Sequence, residues 1–267
     1  MSAVRFENVR FSYPSGVEAL HGVSFEVPTG QRLAIVGQNG AGKTTLVRHL
    51  NGIFQPTSGS VYVADAATTG RAIAELAAQV GYVFQNPDEQ IFASTVIADV
   101  EFGPRNLGCS ADEARSRAMA ALETVGLAAE ADTHPLHLSL SERKRVALAG
   151  VLAMQTPIVV LDEPTTGQDA GGVAMVAGVV EALASAGRTV IAITHDMDFA
   201  AEHFDRLVVM AKGEVLADGA PATVFGEADA LARAAVEPPQ LFRLAAHLGW
   251  PDRPLTVEGF VDAFERR

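Results

Sequence analysis

The stretch GQNGAGKTT sets Gly37, Gln38, Asn39, Gly40, Ala41, Gly42, Lys43, Thr44 and Thr45 in the pattern G-x-x-x-x-G-K-[ST]. Such a loop wraps backbone N–H groups around a phosphate, because glycine has no Cβ to hold the anion off. Lys43 can reach β- and γ-phosphates, and the Thr44 hydroxyl can ligate Mg²⁺. A chance Gly-rich turn is the plain alternative. It gives no reason for a β-rich run just before the loop and a helical run just after it. A second cluster is IVVLDEP at residues 158–164. Four apolar residues predict a buried strand that delivers Asp162 and Glu163 to its C-terminal end, where ligands of parallel sheets bind. Asp162 suits the Mg²⁺ shell, and Glu163 suits a general base for an attacking water. An ordinary strand ending in two solvated acids is the competing reading, and the phosphate loop outweighs it. Tyr13, Gln85 and His195 carry little alone: a rim aromatic, a loop amide and a histidine after a strand. His134 and His137 flank Pro135 and predict a solvated loop rather than a metal site.

The elements that must position these groups are legible as short runs. Residues 4–9, 23–27 and 32–36 predict strands, with a Pro-Thr-Gly turn at 28–30 between the last two. A helix is expected over 43–50, stopped near Gly52, and a strand over 80–84. From 88 to about 154 the pattern turns helical, with Ser110 and Glu113 predicting a capping box for a helix through 125. Strands are expected again at 158–161, 189–193 and 207–210. A helix over 173–184 links two of them as a βαβ unit, and Lys212-Gly213 predicts a hairpin turn. Helices are expected at 228–236, 240–248 and 257–266.

The chain has 267 residues, 48% of them hydrophobic, enough for one large α/β domain. Its net charge of −12 argues against nucleic acid as a partner, since phosphate backbones call for basic surfaces. One cysteine, Cys109, excludes an internal disulfide and fits a reducing compartment. The opening MSAVRFENVR has charges spaced through it and no apolar core, so no signal peptide is expected. The apolar runs are far shorter than the roughly 20 residues of a membrane span.

With these residues in place, the chain resembles ABC transporter ATPases along nearly its whole length. The resemblance implies an α/β P-loop NTPase fold of ABC type with an antiparallel β subdomain. The core is expected at about 1–87 and 155–225, a helical insertion at about 88–154, and a C-terminal helical extension at 236–267 after an ATP-binding domain of 1–235. It implies that Tyr13 stacks on adenine, that residues 37–45 hold the phosphates, and that Gln85 senses Mg²⁺ and a transmembrane partner. Asp162 and Glu163 then end the Walker B strand, His195 is the switch histidine, and residues 166–169 form the D-loop with Asp169. Ser139, Leu140, Ser141 and Glu142 align with the signature motif, which acts on the nucleotide of a second ABC ATPase, identical or homologous, in a head-to-tail dimer. The implied cofactors are ATP and Mg²⁺.

A narrower likeness lies in VFQNPDEQIFASTVIADVEFGPRNLG (83–108), ALAGVLAM (147–154) and EPPQLFRLAAHLG (237–249). These resemble the ATPases of energy-coupling-factor importers, which drive vitamin or cobalt and nickel uptake. The likeness implies a transmembrane coupling protein and a substrate-binding membrane protein as partners, with peripheral attachment to the cytoplasmic membrane face. Two departures stand out. The family's Leu-Ser-Gly-Gly-Gln/Glu is Leu138-Ser139-Leu140-Ser141-Glu142 here, and Gln168 replaces a D-loop leucine. The lost glycines raise the alternative of a weak or regulatory site within a heterodimer; a non-transport ABC ATPase is a separate rival, one that usually carries paired cassettes or long coiled-coil insertions absent here.

Overall fold

A computed structural model describes residues 1–266; Arg267, the last residue of the expected extension, lies outside them. The first half contains β1 (Ser2–Ser12), β2 (Glu18–Pro28), β3 (Arg32–Val36), α1 (Lys43–Val47), β4 (Ser58–Val63), β5 (Ala66–Ala67), α2 (Ile73–Ala77), β6 (Val80–Val83), α3 (Val96–Asn106) and α4 (Ala111–Thr124). There follow α5 (Leu140–Met154), β7 (Ile158–Asp162), α6 (Ala170–Ser185), β8 (Thr189–Ile193), α7 (Met197–His203), β9 (Arg206–Ala211) and β10 (Glu214–Gly219). Four helices close the chain: α8 (Pro221–Val224), α9 (Ala228–Ala234), α10 (Gln240–His247) and α11 (Val257–Glu265).

Two sheets result. One is antiparallel, in the order β2-β1-β4-β5. The other runs β10-β9-β3-β8-β7-β6, parallel except for the β10 edge. β3, β7 and β8 are apolar on both faces and almost wholly buried, as a parallel sheet covered on both sides requires. The register pairs Ile35 with Ile193, Asp162 with Ile193 and Val83 with Leu161, so the loops after β3, β6, β7 and β8 leave from one edge. That edge carries the phosphate loop, Gln85, Asp162, Glu163 and His195.

The helical insertion shares its core with the sheet: Val96, Val100, Leu122 and Val146 belong to the same buried cluster as Val159 and Leu161. Fully burying such side chains contributes about 1.5–3 kcal/mol each, so insertion and sheet fold as one unit. The C-terminal hairpin of α10 and α11 has a small cluster of its own around Ala245, Trp250 and Ala263, while Phe242 reaches the main core.

Several predicted bounds shift for identifiable reasons. The helix expected over 43–50 ends at Val47, because the N–H groups of His49 and Leu50 bond three residues back and tighten the last turn. The box expected at Ser110 is only half made. Ser110 caps the Glu113 N–H, but the Glu113 carboxylate takes Arg117 one turn on. The helix expected over 228–236 stops at Ala234, where Ala235 turns left-handed (φ 50°). α6 starts three residues before its predicted position, because the Asp169 side chain accepts from the Gly172 N–H and offsets the poor helix propensity of Gly171 and Gly172. β4, β5, α2 and β10 were not predicted from sequence. Ser58-Gly59-Ser60 and Ala66-Ala67 carry no alternating apolar pattern.

Candidate nucleotide-hydrolysis site

β3 is flanked by β8 and β9 at the centre of the parallel sheet, and the phosphate loop leaves its end. Gly37 and Gly42 have φ of 145° and 97°. A Cβ on Gly37 would fall 2.1 Å from the Met210 carbonyl oxygen, and one on Gly42 2.7 Å from that of Ala19. These two glycines are therefore required by the protein's own backbone packing as much as by a phosphate. Gly40 has a positive φ but open space around it, so conformation alone selects it there. Lys43 Nζ donates to the carbonyl oxygens of Gly37 (2.6 Å) and Gln38 (3.0 Å), clamping the loop into a ring. An ammonium has three donors, and the third remains for a phosphate oxygen. Burial pushes the Lys43 pKa down, opposed by the charges of Glu163 and Asp162.

Asp162 and Glu163 are neighbours, yet both address the phosphate loop. In a strand, consecutive side chains point to opposite faces. Glu163 breaks the alternation by adopting a left-handed backbone (φ 54°), a strained state of the kind that collects at functional sites. Asp162 Oδ1 accepts from the Thr44 hydroxyl at 3.4 Å, and Oδ2 accepts from the Tyr82 hydroxyl at 2.9 Å. Burial raises the Asp162 pKa, and the bonds from Tyr82 and Thr44 oppose that rise. Burial, with Asp162 beside it, also holds the Tyr82 phenol well above its ordinary value, so it stays a donor. A buried carboxylate beside a hydroxyl is a hard oxygen pair of the kind Mg²⁺ takes in phosphate sites. Thr44 and Asp162 thus fit the implied ion, and Gln85, exposed after β6, lines the same pocket as Thr44 and Glu163.

Glu163 is buried and His195 exposed, with His195 Nδ1 2.7 Å from Glu163 Oε2. An ionised carboxylate only accepts, so Nδ1 carries the proton in this pair. The Thr166 hydroxyl donates to the same oxygen at 3.3 Å. Both contacts gather on Oε2, and Oε1 takes part in neither. Tyr13 lies at the other end of the loop. Its hydroxyl is 2.7 Å from that of Thr45, and its ring meets Phe11 and Phe54 edge-on.

The signature residues lie apart from this pocket, at the start of α5. Ser139 accepts from the Glu142 N–H, and Glu142 accepts from the Ser139 N–H, a complete capping box. The bonds from the Ser139 hydroxyl and N–H hold the Glu142 carboxyl below its usual range. The box uses the N–H groups of Ser139 and Glu142, while those of Leu140 and Ser141 have no intrahelical acceptor. Leu140 is 50% exposed. Asp169 caps α6. His134, in the predicted loop, accepts from the Leu136 N–H through Nδ1 and caps a short turn.

Sequence reasoning missed Tyr82 and Lys144. Tyr82 stands in an apolar strand, and nothing local marks its contact with a carboxylate 80 residues away. Replacing Tyr82 with Phe leaves Asp162 Oδ2 without its donor. The Mg²⁺ concentration for half-maximal ATP turnover is then expected to rise about ten-fold, the low end of what losing a partner behind a metal ligand does. A Mg²⁺ titration at saturating ATP measures this.

The family description ABC transporter matches residues 20–166. A protein from Methanocaldococcus jannaschii named energy-coupling factor transporter ATP-binding protein EcfA is 39% identical over 269 residues, covering 100% of this chain and 96% of its own length. Among solved structures, CbiO1 of Clostridium perfringens, described as part of the ABC transporter complex CbiONQ, superposes with TM-score 0.76 at 35% identity, covering 93% of this chain and 99% of its own. A dimeric ATP-binding cassette in a post-hydrolysis state with ADP and phosphate gives TM-score 0.76 at 28% identity, covering 82% and 98%. The chain belongs to the ABC transporter family, as an ATP-binding subunit of its ATPases. The resemblance to energy-coupling-factor ATPases is borne out by these relatives.

Proposed function

We propose that this chain is the Mg·ATP-hydrolysing subunit of an energy-coupling-factor importer. The observation that carries the reading is the convergence of Lys43, Thr44, Asp162, Glu163 and His195 on one sheet edge, with Glu163 in a left-handed backbone aimed at the phosphate loop. Lys43 and the loop N–H groups bind the phosphates, and Tyr13 borders the base. Thr44, Asp162 and Gln85 would hold Mg²⁺, and the ion would supply positive charge to offset that of the phosphates. Glu163 Oε1 removes a proton from water as its oxygen attacks the γ-phosphorus and ADP leaves. His195 holds Glu163 in that orientation. The signature turn of a second ABC ATPase, identical or homologous, completes the site head-to-tail, in line with the dimeric relative.

A groove fits the membrane partner. Ile53, Ile73, Phe92 and Phe102, exposed by 44–65%, line it over a floor of Tyr82 and Phe84. Apolar patches of this kind mark binding surfaces. No helix of the described residues is long and apolar enough to cross a membrane. In this reading the groove attaches the chain to the cytoplasmic face through a transmembrane coupling protein, itself joined to a substrate-binding membrane protein. Tyr82 belongs to β6 and bonds Asp162, and Phe84 follows β6 immediately before Gln85, a direct path from groove to site.

Co-expression with the neighbouring membrane subunits tests the reading. The wild-type chain is expected to co-purify with them and to leave the membrane on urea washing. Phe92→Asp with Phe102→Asp is expected to abolish co-purification while ATP binding persists. A variant that still co-purifies at the wild-type level counts against this docking surface.

A further inference from the structure

The two departures from the family pattern meet each other. The Ser141 hydroxyl donates to Gln168 Oε1 at 2.7 Å, and Gln168 Nε2 returns a bond to the Ser141 carbonyl at 3.3 Å, across 27 residues of sequence. Gly172 makes room: a Cβ there would lie 2.4 Å from Gln168 Oε1, although the Gly172 backbone itself has no positive φ. One turn along α5, Lys144 Nζ donates to the carbonyl oxygens of Thr166 (2.7 Å) and Glu163 (3.3 Å). The signature turn is thus bonded at two levels to the loop that begins at the strained Glu163.

We propose that Ser141 and Gln168 are paired positioning residues, a latch that sets the signature turn against the chain's own catalytic loop, with Lys144 as its second anchor. The proposal rests on the head-to-tail ATPase reading above. In such a dimer the turn at 139–142 serves the partner's nucleotide, while Glu163 serves this chain's own. The latch therefore ties the geometry of one ATP site to the base of the other. A glycine signature and a D-loop leucine could not make this connection, since neither side chain offers a polar atom. Either change alone breaks the reciprocal pair: without Ser141 the half-buried Gln168 amide loses its hydroxyl donor, and without Gln168 the Ser141 hydroxyl keeps only the longer bond from Arg145 Nη2 at 3.4 Å.

A double-mutant cycle on the assembled membrane complex tests this. Gln168→Leu and Ser141→Gly are each expected to lower kcat about five-fold, the scale of one lost hydrogen bond. The pair Ser141→Gly with Gln168→Leu is expected to return most of the loss. The affinity of the Gln168→Leu variant for a fluorescent ATP analogue should stay at the wild-type value, which a general loss of structure would not allow. Ser141→Ala replaces Ser141→Gly in the cycle if the glycine variant does not fold. Losses that multiply in the double variant, or single variants with wild-type kcat, overturn the latch while leaving the ATPase reading intact. A wild-type complex that binds its membrane partners but turns over no ATP overturns both.

Discussion

Glu163→Gln is expected to lower ATP turnover by the assembled complex by about 10²–10⁴-fold, the range that a positioned general base contributes. The amide matches the carboxylate in shape and can still accept from His195 and Thr166, so the left-handed turn and its contacts survive. What is lost is the capacity to hold a proton taken from water. ATP affinity should therefore stay close to wild type, and the variant should accumulate as a nucleotide-bound dimer. Equilibrium binding beside single-turnover hydrolysis separates the two effects. Weakened binding with unchanged chemistry would move Glu163 out of the base role.

Lys43→Ala is expected to act one step earlier. It removes the donor that faces the phosphates and leaves the Gly37 and Gln38 carbonyls without their shared partner. Hydrogen bonds from a charged donor are worth about 1.5–3 kcal/mol, so ATP affinity should fall roughly 10–100-fold and hydrolysis should fall to background. Titration with a fluorescent ATP analogue reads the affinity directly. An alanine variant that binds ATP as the wild type does would show that the loop holds phosphate through its N–H groups alone. The contrast between the two variants is diagnostic: one loses binding, the other only chemistry.

The site was legible where function forces unusual residue types into a short span. The phosphate loop is such a span, since its glycines, lysine and threonine satisfy local geometry within nine residues. The Asp162-Glu163 pair was legible only beside that loop: alone, two acids at the end of an apolar run could be solvated, and the phosphate loop gives them a use. The parallel strands announced themselves by being apolar on both faces. What stayed hidden depends on contacts across long separations. Tyr82 and Lys144 are ordinary residues in their own elements, and only the fold brings them to Asp162 and to the Glu163 carbonyl. Gln168 and Ser141 were visible as departures, but their pairing was not, because 27 residues and a strand lie between them. β5 escaped because Ala carries little strand preference, and β4 because its strand formers are only Val61, Tyr62 and Val63, behind Ser58-Gly59-Ser60, so that pairing to β1 fixes its length. The glycines at 37 and 42 were assigned to phosphate approach, and the structure adds a second demand: a Cβ at either would run into the Met210 or Ala19 carbonyl oxygen.

The central claim, a Mg²⁺-dependent ATPase built on Thr44, Asp162 and Glu163, is tested most directly by phosphate release from the purified wild-type membrane complex supplied with ATP. The account predicts steady release in Mg²⁺, none after EDTA, and full recovery when Mg²⁺ is added back. Release that persists in EDTA, or a complete complex that releases no phosphate in Mg²⁺, would contradict it.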